Sequence, residues 1–256
     1  MKSKINITFF EVQDWEKEYL QKELKGFEVS FFAEPLSLKN VNLAKDCDIA
    51  SVFIDSQCNK EVVEKFVNVK MIAARSTGFD HIDVEVCKKH NITVCNVPLY
   101  GENTVAEHAF ALILDLSRKI HQSIEKTKKG DFSLDGLQGF DLKGKTLGII
   151  GMGSIGMHVA RIARGFEMNV VGYDVKQNKP LAKKLGFTYA SFEKLLKNSD
   201  IITLHAPYNK HTHHLINSEN IRLIKKGAYL VNTARGGLVE TSALVKALQE
   251  GDLAGV

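Results

Sequence analysis

Leu147-Gly148-Ile149-Ile150-Gly151-Met152-Gly153-Ser154-Ile155-Gly156 is the stretch from which the rest of the chain can be read. A short apolar run ends in Gly151-x-Gly153-x-x-Gly156. A helical pattern follows at once, with Ile155, Val159, Ile162, Ala163 and Phe166 on one face. Eighteen residues past Gly156, Asp174 closes a second apolar run, Val170-Val171-Gly172-Tyr173. Strand, glycine turn, helix, strand and acid is the order that a dinucleotide-binding unit requires. Gly151 makes the tight turn, Gly153 lets backbone approach a pyrophosphate, and Gly156 lets the helix pack closely on its strand. The helix start offers unpaired N–H groups and a partial positive charge to phosphates. An acid at 174 suits a free ribose 2′-hydroxyl and repels a 2′-phosphate, so NAD is expected rather than NADP.

The bulk properties narrow the setting. A chain of 256 residues has room for about two domains, and no apolar run approaches the ~20 residues of a membrane span. Met1-Lys2-Ser3-Lys4 looks like the start of a signal peptide, but the run after it is short, contains Asn6 and Thr8, and meets Glu11. Cys47, Cys58, Cys87 and Cys95 form no CxxC pair, which suits reduced thiols in a cytoplasmic protein. Residues 1–100 carry 13 basic and 15 acidic side chains, and the remainder 21 and 15, with no cluster resembling a nucleic-acid footprint.

Before the glycine turn, strand-like and helix-like patterns alternate. Strands are expected over Ile5–Phe10, Glu28–Phe32, Ile49–Ile54, Val69–Ala74 and Ile92–Val97. Helices are expected over Trp15–Leu24, Lys60–Val67 and Val84–His90, with a shorter turn at Val41–Ala44. Such alternation predicts a parallel sheet covered on both faces, flavodoxin-like in form, over residues 1–102. Arg75-Ser76-Thr77-Gly78-Phe79-Asp80 and Val97-Pro98-Leu99-Tyr100-Gly101 both follow strand ends, where open α/β sheets bind ligands.

Thr104–Ile120 reads as a helix opened by a Thr104/Glu107 capping box, apolar nearly all round and so buried on more than one side. His108 on it reads as a hydrogen-bonded buried histidine, and 125–144 as a polar surface crossing. Residues 103–256 then read as a doubly wound (Rossmann) domain. Its strands are expected at Thr146–Ile150, Asn169–Tyr173, Phe187–Ala190, Asp200–His205 and Tyr229–Thr233, with helices between them, including one over Glu219–Ile224. The helix Thr241–Glu250 closes the series, and Leu253-Ala254-Gly255-Val256 begins another strand. Because this fold usually has six strands, most of the sixth is expected to be missing and the chain reads as C-terminally truncated.

Four features fall at strand ends in this half: Gly151–Gly156, Asp174, His205-Ala206-Pro207, and Asn232-Thr233-Ala234-Arg235-Gly236-Gly237. In a parallel sheet all four meet at one cleft. Arg235 carries a fork of donors suited to a carboxylate and an adjacent carbonyl oxygen, and the two glycines after it are expected to give its backbone freedom. His211, His213 and His214 have no carboxylate or Cys at ligand spacing, so no metal is expected.

These residues resemble the D-isomer-specific 2-hydroxy-acid dehydrogenases, over essentially the whole chain. The most specific parts are Leu147–Gly156 with Asp174, Leu204–Pro207, and Lys226–Glu240. Asn96–His108 (NVPLYGENTVAEH) is similar to the D-lactate dehydrogenase branch. The resemblance implies a substrate domain joined to an NAD domain, and a homodimer through the NAD domain and the 104–120 helix. It implies that Arg235 is catalytic and binds the substrate carboxylate and reacting oxygen, with the Thr77 and Gly78 amides and Tyr100 also at the substrate. It implies cofactor contacts at Thr104, Gly151, Gly153, Ser154, Ile155, Gly156, Asp174, His205, Ala206, Pro207, Thr212, Thr233, Ala234 and Arg235. Glu240 replaces the commoner Asp. The family's acid/base His and its partner Glu have no match before residue 256, so this chain by itself is expected to be inactive. The implied reaction interconverts a D-2-hydroxy acid and a 2-oxo acid, such as D-lactate and pyruvate. The same architecture serves NAD(H)-binding corepressors, and a regulatory protein without turnover is the alternative.

Overall fold

In the computed structural model, which describes residues 4–256, the chain divides into two compact units, 1–100 and 101–256. Each is built on one parallel sheet.

The first sheet comprises β1 (Asn6–Phe9), β2 (Glu28–Phe31), β3 (Ile49–Val52), β4 (Met71–Ala74) and β5 (Thr93–Cys95), in the order β2-β1-β3-β4-β5. That is the flavodoxin-like order, with its reversal between β1 and β3. The side chains of β1 alternate, as a strand covered on both faces requires. Ile7 and Phe9 pack with Leu20 and Leu24, from α1 (Asp14–Glu23) and its C-cap, while Ala50, Val52, Ile72 and Ala74 join a core on α2 (Lys60–Val63) and α3 (Val84–Lys89). The expected strands extend past the ladder, because chain beyond the last paired residue turns away to bond loops, and the helix expected over Lys60–Val67 ends at Val63, past which Lys65 and Phe66 bond three residues back.

The second sheet comprises β6 (Thr146–Ile150), β7 (Asn169–Tyr173), β8 (Thr188–Tyr189), β9 (Ile201–Leu204), β10 (Ala228–Asn232) and β11 (Leu253–Gly255). Its order, β11-β10-β9-β6-β7-β8, is that of a doubly wound dinucleotide domain. The strand expected to begin at Leu253 is present over Leu253–Gly255 and pairs with β10. Leu147 and Ile149 face a core with α4 (Glu102–Arg118) and α6 (Ser154–Gly165), and Ile150 faces the opposite core with α8 (Phe192–Asn198).

Four local readings are corrected. The helix expected over 104–120 starts at Glu102 with Gly101 as N-cap, so Thr104 lies inside its first turn and no capping box forms. It ends at Arg118, because Lys119 is left-handed (φ 55°) and turns the chain into α5 (Ile120–Lys128). That second helix takes up the start of the expected crossing. The third correction concerns His108, which is exposed, because the buried face of α4 is Ala106, Ala109, Phe110, Ile113 and Ser117. Finally, Glu219–Ile224 contains only a 3₁₀ turn, Ile221–Leu223.

Candidate functional site

The glycine turn sits at the carboxyl end of β6, the central strand of the second sheet. Its neighbours on that edge are joined to it by hydrogen bonds. The Gly151 amide donates to Tyr173 O (2.9 Å), the His205 amide to Ile150 O (2.7 Å), and the Met152 amide to Asp174 Oδ2 (2.7 Å). Next to β9, Asn232 of β10 stands opposite Leu204. Gly151–Gly156, Asp174, 205–207 and 232–235 therefore share one sheet edge.

Two glycines are irreplaceable here for separate reasons. Gly151 has φ +96°, and a Cβ on it would lie 2.5–2.6 Å from the His205 carbonyl and the Ala206 amide nitrogen. A Cβ on Gly156 would land on the Gly151 carbonyl oxygen. That contact is how α6 starts so close to β6.

Whether these residues fit a dinucleotide can be judged from what they leave open. The N-cap of α6 is Gly153, with no side chain capping the first turn, whereas α2, α3 and α8 are capped by Asn59, Asp83 and Ser191. The first amides of a twelve-residue helix are thus available to an anion. A Cβ at Gly153 would meet no atom within 4 Å, and a groove of about 410 Å³ lined by Gly153, Ser154, His158, Arg161 and Asn178 lies beside it. On the same edge Thr233 Oγ1 and His205 Nδ1 are buried without a hydrogen-bond partner, and such groups usually find one in a bound ligand or water. Asp174 is held by its neighbours, accepting from the Met152 amide and, at 2.8 Å, from the Lys176 amide. Each carboxylate oxygen keeps a second acceptor site for a ribose hydroxyl. The residues present fit NAD.

His205 is neutral in this setting. Burial pushes its pKa down to about 4, and Thr203 Oγ1 bonds Nε2 at 2.9 Å. A ring so hard to protonate carries no imidazolium proton to give up near pH 7.

Asn232 anchors Arg235, accepting from the Ala234 amide (3.0 Å) and donating to Arg235 O (2.8 Å). Arg235 Nη1 donates to Ala234 O at 3.0 Å. The following glycines act differently from expectation, since neither has a positive φ. Gly237 is small because the Tyr208 ring would lie 2.5–3.0 Å from a Cβ there.

In the first unit, Ser76–Gly78 follows the carboxyl end of β4. Asn96 Nδ2 donates to Thr77 O (2.8 Å), Thr77 Oγ1 to Val97 O (2.9 Å), and Ser76 Oγ to Gly78 O (2.7 Å). None of these contacts uses the Thr77 or Gly78 amide. Tyr100 is largely exposed, as is Thr104.

Several roles were not legible beforehand. Thr212 ties its own loop by accepting from the Asn209 amide and donating to Pro207 O. His213 bonds Tyr208 and stacks on His214, with ring centroids 3.8 Å apart. Among the described residues no His/Cys/Asp/Glu group could hold a metal. Glu240 accepts from the Ser218 amide and from Ser242 Oγ, so the longer acid spans between two turns. The Asn232 clamp and the Asp174–Met152 bond had no signal beyond residue type.

Residues 110–256 match the family model for the D-isomer specific 2-hydroxyacid dehydrogenase, NAD binding domain. A 2-hydroxyacid dehydrogenase homolog of Zymomonas mobilis is 38% identical over 98% of this chain and 77% of its own length. D-lactate dehydrogenase of Escherichia coli is 35% identical over 96% and 75%. The structure of D-lactate dehydrogenase from Aquifex aeolicus, complexed with NAD and lactic acid, superposes with a TM-score of 0.93. Its identity is 41%, covering 98% of this chain and 75% of that one. The chain belongs to the D-isomer-specific 2-hydroxyacid dehydrogenase family, NAD-dependent oxidoreductases that interconvert 2-hydroxy and 2-oxo acids.

Proposed function

We propose that the substrate is a small D-2-hydroxy acid of the D-lactate type, with a pyruvate-like 2-oxo acid as its partner. The observation that carries this is Arg235, clamped by Asn232 on the same sheet edge as an uncapped, glycine-started helix. Its guanidinium would hold the substrate carboxylate and polarise the oxygen of the reacting carbon. The Thr77 and Gly78 amides are the further carboxylate donors, and Tyr100 shapes substrate choice.

The cofactor would be held by the turn Gly151, Gly153, Ser154, Ile155 and Gly156, by Asp174, by His205, Ala206 and Pro207, and by Thr233 and Ala234. Thr104 and Thr212 complete the set. When bound, the nicotinamide supplies or takes the hydride. The chain's residues orient the acid, hold the phosphates and fix which cofactor enters.

A cytoplasmic homodimer through the NAD domain is part of this reading. It is supported by Leu112 on α4, a large apolar side chain exposed in the single chain, and by buried free thiols at Cys47, Cys58 and Cys87. No described helix is long and apolar enough to cross a membrane.

The test is turnover by the full-length enzyme. It should reduce pyruvate-like acids with NADH and oxidise D- but not L-lactate. Arg235→Lys should lower kcat/KM about a hundredfold or more with little change in NADH affinity. Tight NADH binding with no turnover of any 2-oxo acid would favour the regulatory reading instead.

A further inference from the structure

The first unit contains a largely buried arginine that the reaction does not yet use. Arg75 follows β4 directly, and its side chain is only 19% exposed. Its amide donates to Val52 O (2.8 Å), at the end of β3. Its Nη2 donates to both Phe10 O and Glu11 O at 2.9 Å, just past β1, and Nη1 reaches Ser51 Oγ at 3.3 Å. The guanidinium lies about 6 Å from the ring centroids of Phe9 and Phe53, and Nε is 3.7 Å from Glu16 Oε1. Desolvation of such a charge is costly unless its fork is used. Here it joins the ends of β1, β3 and β4, on both sides of the point where the strand order reverses.

Glu11 completes the junction. Its φ is +56°, uncommon for a residue with a side chain. Its carboxylate accepts from the amides of Phe53 (3.0 Å), Asp55 (2.8 Å) and Ser56 (3.0 Å), and from the Ser56 hydroxyl. Its carbonyl is one of the two that Arg75 grips. One residue past Arg75, the loop Ser76–Gly78 is held on its other side by Asn96 and Val97.

We propose that Arg75 is a positioning residue for the loop that binds the substrate carboxylate, fixing Thr77 and Gly78 against the ends of β1 and β3. This rests on the reading that the Thr77 and Gly78 amides bind that carboxylate. Arg75 touches neither substrate nor cofactor; its planar fork sets where the chain leaves β4. A misplacement of about 1 Å at such a loop can cost on the order of a hundredfold in rate.

The experiment compares Arg75→Met, Arg75→Lys and Thr77→Pro in the full-length enzyme, reading KM for pyruvate, the dissociation constant of NADH and the melting temperature. Arg75→Met should raise the pyruvate KM about tenfold or more with NADH affinity unchanged. Arg75→Lys, keeping charge but not the fork, should fall between it and wild type. If Arg75→Met fails to fold, Arg75→Lys decides by the same shift in KM. A pyruvate KM within about twofold of wild type, with only the melting temperature lowered, would make Arg75 purely structural and overturn the proposal. Thr77→Pro removes one amide donor. If it leaves the pyruvate KM unaltered, the carboxylate reading fails and takes this inference with it; if it raises KM while the Arg75 variants do not, the Arg75 role fails alone.

Discussion

Asp174 does two jobs with one carboxylate. Its oxygens accept from the Met152 and Lys176 amides, which fixes the glycine turn, and its remaining acceptor sites face the ribose in the proposed complex. Its charge also opposes a 2′-phosphate. Asp174→Asn keeps the shape but gives up one acceptor oxygen and the charge. Hydrogen bonds to charged groups are worth about 1.5–3 kcal/mol. NADH affinity should therefore fall roughly ten- to a hundredfold, while the NADPH-to-NADH preference moves toward NADPH. Fluorescence titration with both cofactors measures this. An unchanged preference would mean that another residue sets cofactor choice.

At the scale of elements, the critical contact is α6 against β6. The helix starts where a Gly156 side chain would overlap the Gly151 carbonyl oxygen, and Val159, Ala160 and Ala163 then lie on Leu147 and Ile149. Gly156→Ala has backbone in its way, which cannot swing aside as a side chain could. The start of the helix must lift. Overpacking of this kind costs about 1–3 kcal/mol, and the lifted turn would no longer present its amides to a phosphate. The variant should lower the urea midpoint and abolish measurable NADH binding. Wild-type binding in a normally stable variant would show that the turn tolerates the shift.

For the molecule as a whole, the buried His205 ring links folding to pH. In the folded chain its pKa is lowered to about 4 by burial, against about 6.5 when unfolded. Between those values the unfolded chain carries a proton that the folded one refuses, so stability falls as pH drops from about 6.5 to about 4. Below that range His205 adds no further slope. Its share is at most about 3 kcal/mol. Urea unfolding at several pH values, for wild type and His205→Asn, isolates it: the variant should lose this part of the slope. Equal slopes would show that His205 is not held neutral by the fold.

How much of this was legible beforehand can be stated residue by residue. Gly151, Gly153, Gly156 and Asp174 declared themselves, because a phosphate turn constrains residue type and spacing within one local stretch. The alternation of strand-like and helix-like stretches gave both sheets, since a strand covered on both faces reads as a short continuous apolar run. His108, Thr104 and Lys119 did not follow pattern. Which face of α4 is buried and where it breaks depend on α6 and on a single left-handed residue. Arg75 and Glu11 were equally opaque, as the hydrogen-bond partners of their side chains lie 24 to 65 residues away in sequence. The sequence by itself determined the two parallel sheets, the dinucleotide turn and the candidate Arg235, because each is written in local spacing. Only the tertiary structure decided what holds the rest in place: the Asp174–Met152 bond and the Glu11–Arg75 junction. Their hydrogen bonds join a side chain to groups distant in sequence that only folding brings into reach.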